Sequence, residues 1–195
     1  MISYPNGKVF RQANIKKERK QNNIKYKAGN RGMALEDDIN ISNSFYDEKG
    51  LCLITKRPTP INVVKVDYSK GATITNAYYE KQSTTDYNGI YKSRYIDFEA
   101  KSTNNKSSLP LSNIPKQQIE HLQKVITHGG IAFFIISFNT RNEIYFLEAQ
   151  KVIDFIKNED RKSLPYEYIK ENGHLIEQGY LPRLDYLKII DKLYF

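Results

Sequence analysis

Three side chains in one short stretch have the chemistry of a catalytic centre. Asp86, Glu99 and Lys101 lie in Thr84-Thr85-Asp86-Tyr87-Asn88-Gly89-Ile90-Tyr91-Lys92-Ser93-Arg94-Tyr95-Ile96-Asp97-Phe98-Glu99-Ala100-Lys101. Two carboxylates held close together bind a hard divalent cation through oxygen. Such a cation activates water and neutralises negative charge, and an ammonium beside it steadies a pentavalent phosphate. The chemistry implied is metal-assisted hydrolysis of a phosphodiester.

The elements that must position these groups are two strands and the turn between them. Aromatic and β-branched residues fill both arms of the stretch. With Lys92-Ser93 as a two-residue hairpin connection, Asp86 opposes Glu99 across the pair. Like charges opposed at that spacing repel, and a cation between them reverses the sign. Glu99 and Lys101 then share one strand face, with Lys101 diagonal to Asp86. A competing register exists. Asn88-Gly89 is the stronger turn signal by residue type, and a turn there would pair Tyr87 with Ile90 and carry Glu99 away from Asp86. In that case Glu-x-Lys is an ordinary pair on a solvated strand.

Asp86 followed by Glu99-Ala100-Lys101 resembles the core of the PD-(D/E)xK nucleases. More closely, the chain resembles the RecU family of Holliday junction resolvases. The matching stretches are Tyr4 to Lys8, Asn30 to Glu36, Lys56 to Pro60, Ser83 to Gly89, Tyr95 to Lys101, Gln118 to His121 and Leu193-Tyr194-Phe195, all in family order. The resemblance implies a restriction-endonuclease-like α/β fold: a mixed central sheet flanked by helices, with a protruding β-hairpin stalk. It implies a structure-selective endonuclease of recombination and repair that uses Mg2+, with Mn2+ as a substitute. The positions it assigns to metal are Thr85, Asp86, Glu99 and Gln118, and it makes Lys101 the transition-state stabiliser. An acid on the first helix often orders such metal sites, which marks Glu36, although a solvated helix glutamate is the plainer account. Expected partners are four-way junction DNA, a second copy of the chain in a two-fold homodimer, and recombinase and branch-migration proteins. A rival reading is a non-catalytic protein that binds junctions as a recombination accessory. Another is a sequence-specific or mismatch nuclease on the same core.

Composition sets the outer bounds. The chain has 195 residues, enough for one domain with a real core. Its net charge of +8 points to an anionic partner. The single cysteine, Cys52, lies in the apolar run Leu51-Cys52-Leu53-Ile54 and reads as a small buried hydrophobe. No intrachain disulfide can form, which fits a cytosolic, nucleoid-associated setting. No apolar leader segment is seen, and the longest apolar run, Gly129 to Phe138, is too short to span a bilayer.

Residues 1–29 are polar and basic without period and read as a flexible arm, with 30–195 as a single nuclease domain. Lys16, Lys17, Arg19 and Lys20 in the arm, with Arg31 just after it, are candidate phosphate contacts. A helix is expected from Met33 to Tyr46, with Leu35, Ile39, Ser42 and Tyr46 on one stripe. Strands follow at 51–56, 61–67 and 74–79. The last two form the expected stalk at about 60–80, where Lys65, Lys70, Tyr78, Tyr79 and Lys81 suit the centre of a junction. An edge hairpin with charged gatekeepers is the plainer account. Ser102 to Ser108 reads as a polar loop. Pro115 opens a helix burying Ile119, Leu122, Val125 and Ile126, with Gln118 at the border of that face. Strands at 131–138 and 144–149 complete the sheet. A helix at 152–158, a polar loop at 159–174 with a candidate helix end at Ile169 to Gly173, and a closing helix at 184–193 end the chain. His121 and His128 lack partners at metal-binding spacing and carry no chemistry in this reading.

Overall fold

A computed structural model describes residues 31–69, 71–79 and 85–195. Helix α1, Arg31–Glu48, opens it, and the expected stripe of Leu35, Ile39, Ser42 and Tyr46 is buried. Strand β1 is Leu53–Lys56, β4 is Tyr87–Tyr91 and β5 is Arg94–Thr103. β6 (Ser108–Pro110), α2 (Lys116–Thr127) and β7 (Ile131–Phe138) follow. Then come β8 (Glu143–Glu148), α3 (Ala149–Asn158), β9 (Ser163–Pro165), α4 (Tyr166–Asn172), β10 (His174–Leu175) and α5 (Leu187–Tyr194). β2 (Ile61–Asp67) and β3 (Thr73–Tyr79) pair only with each other.

The main sheet runs β1-β4-β5-β7-β8-β10. Its one parallel pair is β5 with β7, and all other pairs are antiparallel. A parallel pair needs a crossover, and here it carries α2 over one face of the sheet. β7 is buried at every position, as its unbroken apolar run demands. One hydrophobic cluster packs α1 and α5 on one sheet face. A second packs α2, α3 and α4 on the other. Both clusters are aromatic-rich. The rings of Tyr87, Phe98, Phe133 and Phe146 stack in sequence across β4, β5, β7 and β8, with centroids 4.9, 4.6 and 4.2 Å apart. Each such contact adds about 0.5–1.5 kcal/mol beyond burial, and the ladder fixes the strand register beside Asp86 and Glu99.

The β4–β5 turn falls at Lys92-Ser93. Tyr91 pairs with Arg94 and Tyr87 with Phe98, and both turn residues are left-handed, with φ of 46° and 64°. That is the twist a two-residue hairpin connection requires. Gly89, the competing turn signal, instead lies inside β4 because β1 crosses close to it. A Cβ at Gly89 would stand 2.0 Å from the Leu53 carbonyl oxygen.

Three expectations are corrected. Residues 159–174 are not a loop but contain β9 and α4. Leu164, Tyr166 and Ile169, scattered among charges in the sequence, are buried in the second cluster, and β9 pairs with β6. The polar stretch from Ser102 is strand as far as Thr103, because β5 pairs with β7 to its end. The closing helix begins at Leu187, while Leu184 and Tyr186 are buried ahead of it.

Candidate active site

β5 carries two chemistries by simple alternation. Ile96 and Phe98 point into the α1 side of the sheet and are fully buried. Asp97, Glu99 and Lys101 point to the α2 side. There Asp97 is 0% exposed and Glu99 is 1% exposed. Burying two carboxylates on neighbouring positions of one strand face is costly unless each is matched by donors.

Glu99 is so matched. Its Oε1 accepts from Lys101 Nζ at 2.6 Å and from Gln118 Nε2 at 2.7 Å. Its Oε2 accepts the Asp86 backbone N–H at 3.0 Å. In return, Asp86 Oδ2 accepts the Ala100 backbone N–H at 3.0 Å. Beyond the last β4–β5 pair, the two acids thus continue the hairpin with side-chain bonds to each other's strands. This clasp holds like charges together. The Glu99 carboxyl is pushed up to about 7, first by burial and then by the Asp86 charge, against the pull of Lys101.

Of the five residues expected to converge, four, Asp86, Glu99, Lys101 and Gln118, are brought together. Gln118 arrives from the first turn of α2, where Leu122 and Val125 anchor the helix in the second cluster. Its Oε1 is buried and has no hydrogen-bond partner. A buried amide oxygen without a donor is the kind of atom a hard cation satisfies. The donor set is therefore two carboxylates and an amide oxygen, all oxygen. Among the described residues no cluster of three or more His, Cys, Asp or Glu side chains accompanies it.

Other expected residues lie elsewhere. The Thr85 hydroxyl bonds Asp97 Oδ1. The Glu36 carboxylate pairs with Lys56 at the end of β1. Lys65, Tyr78 and Tyr79 are exposed on the β2–β3 pair, where a bulge around Lys65 breaks the simple alternation. Lys16, Lys17, Arg19, Lys20, Lys70 and Lys81 lie outside the described residues, as does the Arg31 side chain. The sequence reading gives no role to two site neighbours. Asp97 reads there as one more strand acid, and His121 as a lone histidine. In the fold His121 Nε2 donates to Asp97 Oδ2 at 3.0 Å. The even spacing of Asp97, Glu99 and Lys101 was the available clue.

Two acids and a lysine thus lie on paired strands of a mixed sheet, and a crossover helix supplies an amide beside them. The model of the family described as RecU, Recombination protein U, matches residues 30–192. The chain belongs to that family. It is 46% identical to the Holliday junction resolvase RecU of Geobacillus sp. (strain WCH70), covering all of this chain and 98% of that protein. It is 48% identical to the Holliday junction resolvase RecU of Bacillus cytotoxicus, again over all of this chain and 98% of the relative. The solved structure of the Archaeoglobus fulgidus Holliday junction resolvase Hjc superposes on 73% of this chain and 94% of its own, with a TM-score of 0.44 and 12% identity. Among the described residues no helix is long and apolar enough to cross a membrane.

Proposed function

We propose that this chain resolves four-way DNA junctions by magnesium-dependent phosphodiester cleavage. The observation that carries the reading is the clasp of Asp86 and Glu99 with Lys101 and the unpartnered oxygen of Gln118. Asp86, Glu99 and Gln118 are the residues that would hold the cation, with Thr85 next to Asp86 in the chain. When bound, a divalent cation offsets phosphate charge and makes water a better nucleophile. The backbone N–H groups of Asp86 and Ala100 hold the Glu99 and Asp86 carboxylates in place. The Lys101 ammonium stands on the same strand face and stabilises charge developing on the phosphate. Gln118 fixes the Glu99 carboxylate from the helix side.

Family membership supports the substrate, and the net charge of +8 supports a polyanionic partner. The exposed Tyr78, Tyr79 and Lys65 of the β2–β3 hairpin are suited to stack on and neutralise unpaired strands at a junction centre. The basic residues of the first 29 add sequence-independent phosphate contacts. A junction has two equivalent strands to cut, so the working form is a two-fold dimer. The setting is the cytoplasm, at the nucleoid. Light scattering at micromolar protein should show twice the 22.7 kDa chain mass; a monomer making paired cuts would contradict the dimer.

The deciding experiment incubates purified protein with four-way junction or plain duplex DNA, with and without Mg2+. Paired symmetric nicks in the junction alone are expected. Equal cutting of duplex would make the chain a general nuclease. Binding without nicking would make it an accessory protein.

A further inference from the structure

Asp97 is the most heavily engaged carboxylate of the described residues, yet none of its hydrogen bonds goes to Asp86, Glu99, Lys101 or Gln118. Its Oδ1 accepts from the Thr85 hydroxyl. Its Oδ2 accepts from Arg57 Nη2 at 2.6 Å, from the Tyr95 hydroxyl at 2.8 Å and from His121 Nε2 at 3.0 Å. Arg57 also donates to the Tyr95 hydroxyl at 2.7 Å. These donors come from the segment entering β4, the connection after β1, β5 itself and helix α2. A buried ion pair of this kind is weak evidence for stability, because desolvation offsets most of the attraction.

Three of the four donors adjoin the acid–lysine site. Thr85 precedes Asp86. The Arg57 backbone N–H donates to the Asp86 carbonyl at 2.7 Å, so the residue gripped by Asp97 through its guanidinium grips the Asp86 peptide through its backbone. His121 lies three residues after Gln118 on α2, which places the two on neighbouring positions of one helix face. We infer that Asp97 is a positioning residue: one buried carboxylate ties down both the segment that presents Asp86 and the helix that presents Gln118, so that both meet Glu99. Partners of this sort, one step behind the groups that hold a metal, set the affinity and activity of such sites. In its catalytic consequence the inference rests on the nuclease reading; in its structural part it does not.

The test uses the intact chain. Amide spectra of 15N-labelled Asp97→Asn should show the Asp86 and Ala100 amide signals displaced from their wild-type positions. Those amides report the clasp directly, and a loss of global stability alone leaves them where they are. Mn2+ affinity and the turnover rate of junction nicking should each fall roughly 10- to 100-fold. Junction affinity in chelator should stay unchanged, since phosphate contacts elsewhere supply it. Should Asp97→Asn not fold, His121→Gln and Arg57→Lys each cut one tie. The first should displace the Gln118 side-chain amide signal and the second the Asp86 amide signal. Undisplaced signals in these variants, or Mn2+ affinity equal to wild type in Asp97→Asn, would overturn the inference. Absence of nicking by the wild-type protein would instead overturn the functional reading, while the amide signals still decide the positioning role.

Discussion

Replacing Asp86 by Asn should make the metal-free protein more stable while abolishing its chemistry. The substitution keeps the side-chain oxygen that accepts the Ala100 N–H, and it leaves the backbone N–H that donates to Glu99. It removes one of two facing charges. Glu99 titrates at about 7 in the fold against an ordinary 4.5, so the folded chain holds that proton more tightly than the unfolded one. Stability from this group is therefore full below pH 4.5, falls as pH rises towards 7 and stays low above it. The whole span corresponds to roughly 3 kcal/mol. Burial is the first cause and the Asp86 charge the second, and like charges opposed across a strand pair cost up to about 1 kcal/mol, the gain expected when one is removed. For a chain of this size that raises Tm by about 2–4 °C. Melts in chelator at pH 8 should show this gain, and the gain should vanish at pH 4. Saturating Mg2+ should stabilise wild type more than the variant, since ligand binding to the folded state adds to its stability. An Asp86→Asn protein that melts lower than wild type in chelator at pH 8, or that nicks junctions at the normal rate, would refute the clasp.

Lys101→Ala should lose nicking by about 100- to 1000-fold, as removal of a charge-stabilising donor does, while still binding Mn2+ by calorimetry. Gly89→Ala should destabilise the fold by more than about 1 kcal/mol in denaturant melts, because the new Cβ meets the Leu53 carbonyl oxygen at 2.0 Å. Replacing Tyr78 and Tyr79 together by Ala should weaken junction binding by about 1–3 kcal/mol per lost stacking contact in gel-shift titrations, with Tm unchanged because both rings are exposed.

The hairpin register was legible because turn type and charge pairing gave two answers and only one placed Asp86 against Glu99. Gly89 misled by residue type: its reason is the close crossing of β1, a long-range contact that no local turn rule contains. The core strand β7 was legible from its unbroken apolar run, and α1 from its stripe. β9 and α4 were not, because their burial comes from three apolar residues set among charges, and β9 exists only through its partner β6. Asp97 escaped for a similar reason. Two of its four donors lie 40 residues before it, at Arg57, and 24 after it, at His121, and locally only its even spacing with Glu99 and Lys101 sets it apart from a solvated strand acid.

The alternation of β5 has a consequence for how this chain tolerates change. Each residue of β5 belongs either to the aromatic ladder or to the ionic row, and the assignment is by parity alone. Substitutions at Lys92 or Ser93 alter the quality of the turn and leave that parity intact. One residue inserted or deleted there would send Phe98 towards α2 and Glu99 into the stacked rings of Tyr87, Phe133 and Phe146. The message of the turn is thus its length more than its letters: among functional chains identity there should vary among residues that adopt positive φ, and number should not vary.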